Sequence, residues 1–260
     1  METIARNLLI LKQFEEISQK FQREKIDYIL LKGIALITLF PEYIKYRQME
    51  DIDLLIKPEQ LKLAKIVLMS MGYKKAKQDP YAFWRQDSPA YVDLCDGFWY
   101  LNKKENQKLW ESKKTNFLSP EDFFVHTVAH SFIHHSEIDE RWLSDINLLR
   151  SKWQKKINWA EVESKLKKYG IKTDNKFVTL EIPLKGHLAR FFLLPFKKKF
   201  FYIIKTFFPE DEFIKNRYDV KNYWSLIFWR FFRPVELILK TCKIVVMFSK
   251  CQIHREHLCR

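Results

Sequence analysis

The sequence predicts an α+β fold, in which a small mixed β-sheet with flanking helices is followed by an α-helical region. Short apolar runs between turn residues alternate with helical spacing over roughly the first 100 residues, whereas from Pro120 apolar residues recur every three or four positions. With 260 residues, 47% hydrophobic side chains and five glycines, the chain can bury a core and is neither disordered nor collagen-like. We predict three regions, 1–115, 116–184 and 185–260.

The sequence up to Pro41 predicts a helix, a strand and a second helix. Apolar side chains at helical spacing indicate an amphipathic helix that ends at about Arg23. The apolar run Tyr28–Leu31 then predicts a short strand, and Lys32-Gly33 predicts a tight turn into a helix ahead of Pro41. This order puts the N-terminus of a helix directly after the first strand.

A buried strand, a helix and a hairpin follow. Asp51–Ile56 is an apolar run with two acids at its entry, which is typical of a buried strand. Pro58 suits the first turn of a helix whose apolar spacing continues to Gly72, a natural C-terminal stop. Apolar stretches on either side of Gln86–Pro89 predict a hairpin. These elements complete a small sheet within the first region.

The remaining two regions are predicted to be helical. Helical spacing dominates from 120 to about 180, where we expect a helical bundle. From residue 185 onward, 16 Lys and Arg against six Asp and Glu give +10 of the chain's net charge of +14. Six of the ten residues from Tyr223 to Phe232 are aromatic, and we expect them to pack in a core. The alternatives are contact with a protein, an anionic membrane or nucleic acid.

The cysteines and the N-terminus indicate the cellular compartment of the protein. The cysteines at 95, 242, 251 and 259 lack the spacing of a zinc module or a disulfide framework, so we expect free thiols in a reducing compartment. The N-terminus has no signal-peptide pattern, and no apolar stretch reaches the roughly 20 residues of a membrane span. These features predict a cytoplasmic protein without a transmembrane span.

The candidate chemistry concentrates at Asp51 and Asp53. Residues two apart in a strand point to the same face, so the two carboxylates project together. Like charges held this close raise one another's pKa unless a positive group lies between them. Mg²⁺ prefers oxygen ligands and keeps positions for substrate phosphates, so the pair forms half of a site for a metal-nucleotide complex. A solvated acidic pair at the end of a strand is the alternative.

Three further features favour the metal-nucleotide interpretation. Lys32-Gly33 lies at a strand-to-helix turn, where glycine allows close approach of a phosphate to the helix N-terminus. Arg47 offers a fork of donors that suits phosphate oxygens. Asp93, in the second hairpin strand, supplies a third acid that a neighbouring strand could bring beside the pair. Asp96 is a rival for this third position, but Asp96-Gly97 has the character of a turn.

These motifs resemble the polymerase β-like nucleotidyltransferase superfamily and, within it, a bacterial family of uncharacterised nucleotidyltransferases. The resembling segments are 28–33, 47–56 and 92–94, and the likeness extends through 126–149 and 157–159. The resemblance implies transfer of a nucleoside monophosphate from a nucleoside triphosphate to an acceptor, with release of pyrophosphate. The acceptor stays open among a sugar, a small metabolite, a protein side chain and an RNA end.

The resemblance also implies roles for particular residues. Asp51, Asp53 and Asp93 would be the catalytic acids that hold Mg²⁺ or Mn²⁺, and Gly33 would be the turn residue. Lys32 and Arg47 are expected to contact the triphosphate. One metal ion would activate the acceptor hydroxyl and a second would neutralise the leaving group.

The histidines and one further acid have no assigned role. His126 and His130 are four residues apart and share a helical face, and His134, His135 and Asp145 follow in the expected bundle. Hydrogen-bonded packing of the bundle is the main interpretation, and a zinc site or a substrate-facing role are the alternatives.

A different class of function also fits the charge distribution. The protein could be a non-catalytic module that binds nucleic acid or an anionic membrane through 185–260. The three acids of the first region argue against this interpretation, because a binding module has no evident need for them.

Overall fold

The computed structural model describes residues 2–76, 79, 81–113, 115–134, 140–169, 171–173, 178–180, 191, 194, 196–209, 211–218, 220 and 222–239. The chain divides into two compact units, Met1–Leu193 and Leu194–Arg260. The first unit contains a five-stranded mixed sheet with helices, and the described part of the second is helical. The predicted α+β fold is confirmed, while the finer boundaries at 115 and 184 stay predictions.

The strands of the sheet are, in chain order, β1 Tyr28–Leu30, β2 Asp51–Ile56, β3 Lys74–Lys75, β4 Ala82–Trp84 and β5 Tyr91–Cys95. Their order across the sheet is β1-β2-β5-β4-β3. β2 pairs antiparallel with β1 and parallel with β5, while β4 and β5 form the predicted hairpin. Because β2 has a neighbour on each side and buried faces, its sequence is almost continuously apolar.

Three helices pack with the sheet in one hydrophobic core: α1 Glu2–Arg23, α2 Lys32–Leu39 and α3 Leu61–Ser70. Short 3-10 turns, Pro41–Lys45 and Pro58–Gln60, precede β2 and α3. The predicted end of α1 at Arg23 and the start of α2 directly after β1 are confirmed. α3 ends just before Gly72, whose φ of 85° is a backbone conformation that side chains rarely allow.

Two buried polar residues tie α1 to the segments that enter β2 and β5. The Gln13 amide donates to the Ala90 carbonyl (3.0 Å) and to the Tyr73 hydroxyl (3.0 Å), and its oxygen accepts from the Ala90 N–H (3.2 Å). The Asn7 amide donates to the Arg47 carbonyl (2.7 Å) and accepts from the Met49 N–H (3.2 Å). α1 therefore holds the chain just before both acid-bearing strands.

The rest of the first unit is mainly helical. It comprises α4 Lys103–Glu111, α5 Pro120–Ala129, a π-helical turn at His130–His134, α6 Glu140–Trp153 and α7 Trp159–Lys167. The structure departs from the expected helical bundle after α7, where β6 Ile171–Thr173 pairs antiparallel with β7 Val178–Leu180. Both strands are rich in β-branched residues, which favour extended backbone over helix.

The second unit contains α8 Phe196–Phe207, α9 Asp211–Tyr218 and a helix over 223–239, called α10. Its interior includes a polar cluster. The Tyr218 ring stacks on Trp229 with centroids 4.0 Å apart, and its hydroxyl donates to Glu236 (2.7 Å). Arg233 is buried and donates to the Tyr218 hydroxyl (3.0 Å) and the Thr206 carbonyl (3.0 Å). These contacts connect the three helices.

α10 exposes large apolar side chains along one face. They recur at helical spacing and are all exposed: Trp224, Phe228, Phe231, Phe232, Val235, Ile238 and Leu239. The expectation that the aromatic residues of 223–232 pack in a core is therefore wrong for all but Trp229. The reason is that α10 buries the opposite face, through Leu226 and Arg233.

Two expectations from the sequence concern cysteines and the membrane. Cys95 is a free thiol, whereas the cysteines at 242, 251 and 259 lie outside the described residues. Among the residues that the structure describes, we find no helix with the length and apolar character needed to cross a bilayer.

The buried Gln13 contacts give a testable prediction for stability. Gln13→Leu leaves the Ala90 backbone groups and the Tyr73 hydroxyl without these partners, so we expect a loss of about 2 to 4 kcal/mol in the free energy of unfolding. Urea unfolding measures this change. Gln19→Leu, at an exposed position on the same helix, should change stability by less than about 0.5 kcal/mol. Equal losses in the two variants would contradict the role given to Gln13.

Candidate active site

Three carboxylates meet at the entry of β2 and the middle of β5. Asp51 is the first residue of β2, Asp53 lies two positions further on, and Asp93 is directly opposite Asp53 in the parallel register. One carboxylate oxygen from each residue lies within 4.8 Å of the other two. The structure therefore brings together the three acids that the sequence singled out. The rival Asp96 is exposed and lies beyond the end of β5.

Burial makes this acidic cluster electrostatically expensive. Asp53 is buried, whereas Asp51 and Asp93 are half-buried. Burial raises the pKa of Asp53 well above its ordinary value; Lys32 opposes this shift, and Asp51 and Asp93 add to it. Burial, with the neighbouring Asp51, also raises the pKa of Asp93 to about 6. A positive group in the cluster would remove much of this cost.

Lys32 supplies one such positive group. Its Nζ lies 2.5 Å from Asp53 Oδ1, and its backbone has a φ of 49°, in the left-handed region that non-glycine residues rarely adopt. Burial alone would lower the pKa of Lys32, but Asp53, Asp51 and Asp93 together raise it. Lys32 was expected to contact the triphosphate, and the structure places its ammonium group against a carboxylate of the triad. A strained backbone that aims a charge into a cluster is a common feature of functional sites.

The donor set fits a divalent cation. If all three acids are ionised, three carboxylates and one ammonium leave two negative charges, which one divalent ion would balance. Asp53 Oδ2 is buried and has no hydrogen-bond partner among the described residues, so a ligand position points into the site. Carboxylate oxygens are the ligands that Mg²⁺ and Mn²⁺ prefer. Asp51, Asp53 and Asp93 are therefore suited to hold such an ion.

Gly33 lies in the first turn of α2, next to Lys32. A Cβ at this position would lie 3.2 Å from Met49 Cγ and 3.8 Å from Arg47 Nη2. The absence of a side chain thus lets the segment before β2 pack closely against the start of α2. The N-cap residue of α2, Leu31, makes no side-chain cap, and the first turn contains no acidic residue.

Arg47 is held by an acid from the helical part of the first unit. Its Nε donates to both carboxylate oxygens of Asp145, at 3.0 Å each, and its Nη1 donates to the Gln48 carbonyl at 2.6 Å. The Tyr43 hydroxyl also donates to Asp145, at 3.3 Å. The sequence suggested Arg47 for the triphosphate and left Asp145 without a role. No sequence-based prediction concerns Asn7, which holds the backbone on both sides of Gln48.

His126 packs among aromatic side chains of the first unit. His126 stacks on Phe98, with ring centroids 4.0 Å apart, and its Nδ1 is 2.9 Å from the Tyr100 hydroxyl. The His126 and His130 rings are 5.7 Å apart. These contacts are consistent with hydrogen-bonded packing of α5. His135 and the side chain of His134 lie outside the described residues.

The acidic triad gives a testable prediction for metal binding. Asp53→Asn removes a buried ligand, so we expect it to weaken Mn²⁺ binding at least about tenfold, measured by titration calorimetry. Asp96→Asn is the matched control and should bind Mn²⁺ as the wild type does. Unchanged affinity in Asp53→Asn would show that the ion binds elsewhere.

The same substitution also tests the electrostatics of the site. A folded pKa above the unfolded value means that ionised Asp53 costs stability once the pH exceeds the unfolded value. In chelator at pH about 7.5, Asp53→Asn should therefore be at least as stable as the wild type, whereas Mn²⁺ should stabilise the wild type more than the variant.

Comparison with known proteins identifies the family of the chain. Residues 1–180 match a protein family described as uncharacterised nucleotidyltransferase. No curated protein sequence matches the chain. The solution structure of the antibiotic-resistance factor ANT(2'')-Ia is similar to it, with a TM-score of 0.46 and 13% identity over 64% of this chain and 90% of that one. Because the family match covers more than half of the sequence, the chain belongs to the uncharacterised nucleotidyltransferase family and is a transferase of nucleotidyl groups.

Proposed function

We propose that the protein transfers a nucleoside monophosphate from a nucleoside triphosphate to an acceptor hydroxyl, at the site formed by Asp51, Asp53 and Asp93, and that the reaction depends on Mg²⁺ or Mn²⁺. The observation that carries the proposal is the convergence of three carboxylates around a buried Asp53 oxygen without a hydrogen-bond partner. The family supports nucleotidyl transfer in general, and the donor set supports the metal dependence.

The reaction exchanges one phosphorus–oxygen bond for another. The acceptor hydroxyl loses its proton and its oxygen bonds to the α-phosphorus, while the bond from that phosphorus to the bridging oxygen of pyrophosphate breaks. Pyrophosphate leaves with the electron pair of the broken bond. Bound divalent ions lower the pKa of an attacking hydroxyl and neutralise charge on the leaving group. Phosphoryl transfer otherwise depends mainly on positioning and on electrostatic stabilisation.

The side chains of the site divide these tasks. Asp51, Asp53 and Asp93 hold the metal, and the buried position of Asp53 fixes the direction in which its free oxygen points. Lys32 lies at the start of α2 and joins this helix end to Asp53, so a phosphate at the helix N-terminus would lie beside the metal ligands. Gly33 and Arg47 border the same helix end.

The decisive test follows the label of a triphosphate. With Mg²⁺, a cell extract as acceptor source and each α-³²P nucleoside triphosphate in turn, we expect label from one or more nucleotides to appear on an extract component. Label in the γ-position should be released as pyrophosphate. Asp93→Asn should lower transfer by at least about 100-fold, because it removes a group that positions charge in the transition state. Asp96→Asn should keep wild-type activity. Transfer of γ-label instead would identify a kinase and contradict the proposal.

A second candidate function rests on the exposed apolar face of α10 and the composition of α8. We propose that this unit also binds an anionic lipid surface. α8 contains four lysines and no acid between large apolar residues, and three of its phenylalanines, Phe196, Phe200 and Phe201, are exposed. Basic residues beside an exposed apolar face suit the interface of an anionic bilayer.

Vesicle co-sedimentation tests this second candidate. The full chain should bind phosphatidylcholine vesicles that contain phosphatidylglycerol, and bind pure phosphatidylcholine weakly. Phe200→Ser with Phe231→Ser should reduce binding at least about tenfold, because each phenylalanine buries apolar area worth about 1.5 to 3 kcal/mol. Leu9→Ser, at an exposed site on α1, is the control. Nanomolar binding of mixed RNA at about 0.15 M salt would overturn this second candidate function. A dimer that buries the exposed apolar face of α10 would overturn it as well.

A further inference from the structure

We propose that Asp145 is a positioning residue for the nucleotide: it fixes the Arg47 guanidinium so that Nη2 donates to a phosphate group at the N-terminus of α2. This inference rests on the proposed function, since it names the group that binds part of the triphosphate. It assigns Asp145 a role on the substrate side of the site, although Asp145 belongs to α6 and is not one of the three metal-binding acids.

The guanidinium of Arg47 is only partly used by the protein. Nε is taken by both oxygens of Asp145 and Nη1 by the Gln48 carbonyl, while Nη2 has no hydrogen-bond partner among the described residues. The side chain is nine-tenths buried, with 10% exposed. Arginine carries five N–H donors in a rigid plane, so fixing Nε and Nη1 also fixes the direction of Nη2. Nη2 keeps some exposure to solvent, so a ligand can reach it.

Nη2 lies beside the N-terminal turn of α2. It lies 3.8 Å from the position that a Cβ on Gly33 would occupy. The first N–H groups of a helix have no intrahelical partners, and in α2 no side chain of the N-cap residue takes their place. A helix end without a cap and an arginine donor directed at it together form a site for an anion with several oxygens, such as a phosphate.

Asp145 is itself held in place, which a positioning role requires. The Tyr43 hydroxyl lies 3.3 Å from its carboxylate and 2.7 Å from the Ser144 hydroxyl. Asn7 also holds the backbone at Arg47 and Met49, so the arginine end of the ion pair has a fixed backbone. A buried ion pair is weak evidence for stability alone, because desolvation of the two charges offsets their attraction.

α2 begins beside the triad, so a phosphate at its N-terminus and a phosphate on the metal would belong to one polyphosphate substrate. Lys32, the first residue of α2, contacts Asp53 at 2.5 Å, and Gly33 follows it directly. A chain of phosphates could therefore reach from the metal ligands to Arg47. The ligand class we assign is a polyphosphate chain, as in a nucleoside triphosphate, with the base playing no part in this contact.

The probe that tests the inference is inorganic tripolyphosphate with Mn²⁺, measured by titration calorimetry on the full chain. We expect Asp145→Asn to weaken tripolyphosphate binding about tenfold or more while Mn²⁺ alone binds as in the wild type. Arg47→Lys, which keeps a charge but loses the fork, should weaken it similarly. Asp122→Asn is the control, because it breaks another partly buried ion pair, with Lys165, in the same part of the unit.

A double variant separates positioning from a general structural effect. If Asp145 acts through Arg47, adding Asp145→Asn to Arg47→Lys should cause little further loss, whereas additive losses would overturn the inference. Wild-type binding in a folded Asp145→Asn protein would overturn it as well, and so would a wild type that binds Mn²⁺ but no tripolyphosphate. If Asp145→Asn fails to fold, Arg47→Lys still tests the phosphate contact on which the inference rests: unchanged binding refutes the inference, and loss supports that contact. A failed transfer assay with these binding losses intact would remove the proposed function and leave the phosphate site.

Discussion

The parallel pairing of β2 with β5 is the constraint on which the site depends. It sets Asp53 opposite Asp93 and, with Asp51 two residues before Asp53, gathers three negative charges where two strands run side by side. Burying a carboxylate in such a place costs free energy unless opposite charge is supplied. Lys32 supplies one positive charge, at the cost of a left-handed backbone conformation. The remaining negative charge suits the cluster to a cation and distinguishes it from an acidic strand end in water.

The hydrophobic pattern alone does not fix the pairing register of β2 and β5. β2 is apolar on both of its faces, so a shift by one residue would still bury apolar side chains on each side, and the pattern alone specifies the register weakly. Buried hydrogen bonds from side chains of α1 to the backbone add the missing specificity for the register. Asn7 holds the backbone at Met49, just before β2, and Gln13 holds both backbone groups of Ala90, just before β5. One helix thus fixes the starting points of both acid-bearing strands.

The difference between local sequence signals and contacts of distant residues explains what the sequence could predict. Local signals located α1, the strand at 51–56 and the hairpin, because spacing, proline, glycine and turn residues act within a few positions. The triad followed from the alternation of side chains along a strand and one neighbouring strand.

Other features depend on contacts between distant parts of the chain. The ion pair of Arg47 and Asp145 joins residues 98 positions apart, and no local pattern marks either residue as the partner of the other. Asn7 and Gln13 left one faint signal, since polar residues at buried positions of an amphipathic helix call for partners. The exposed face of α10 was missed because an apolar stripe at helical spacing has the same sequence whether it packs inward or faces solvent.

The ion pair also shows how Arg47 could serve the structure and, as we propose, the substrate. A guanidinium has donors in three directions, and Asp145 and the Gln48 carbonyl occupy two of them. The third direction has no hydrogen-bond partner among the described residues, and in our proposal it serves a ligand beside α2 while the Asp145 carboxylate of α6 sets its direction. The family match extends over residues 1–180 and so includes Asp145 as well as the acid-bearing strands, whereas the exposed aromatic residues of the second unit lie beyond it. The match therefore spans both the strands that carry the three acids and the helix that carries the partner of Arg47, so the proposed metal ligands and the proposed phosphate contact lie within the same family region.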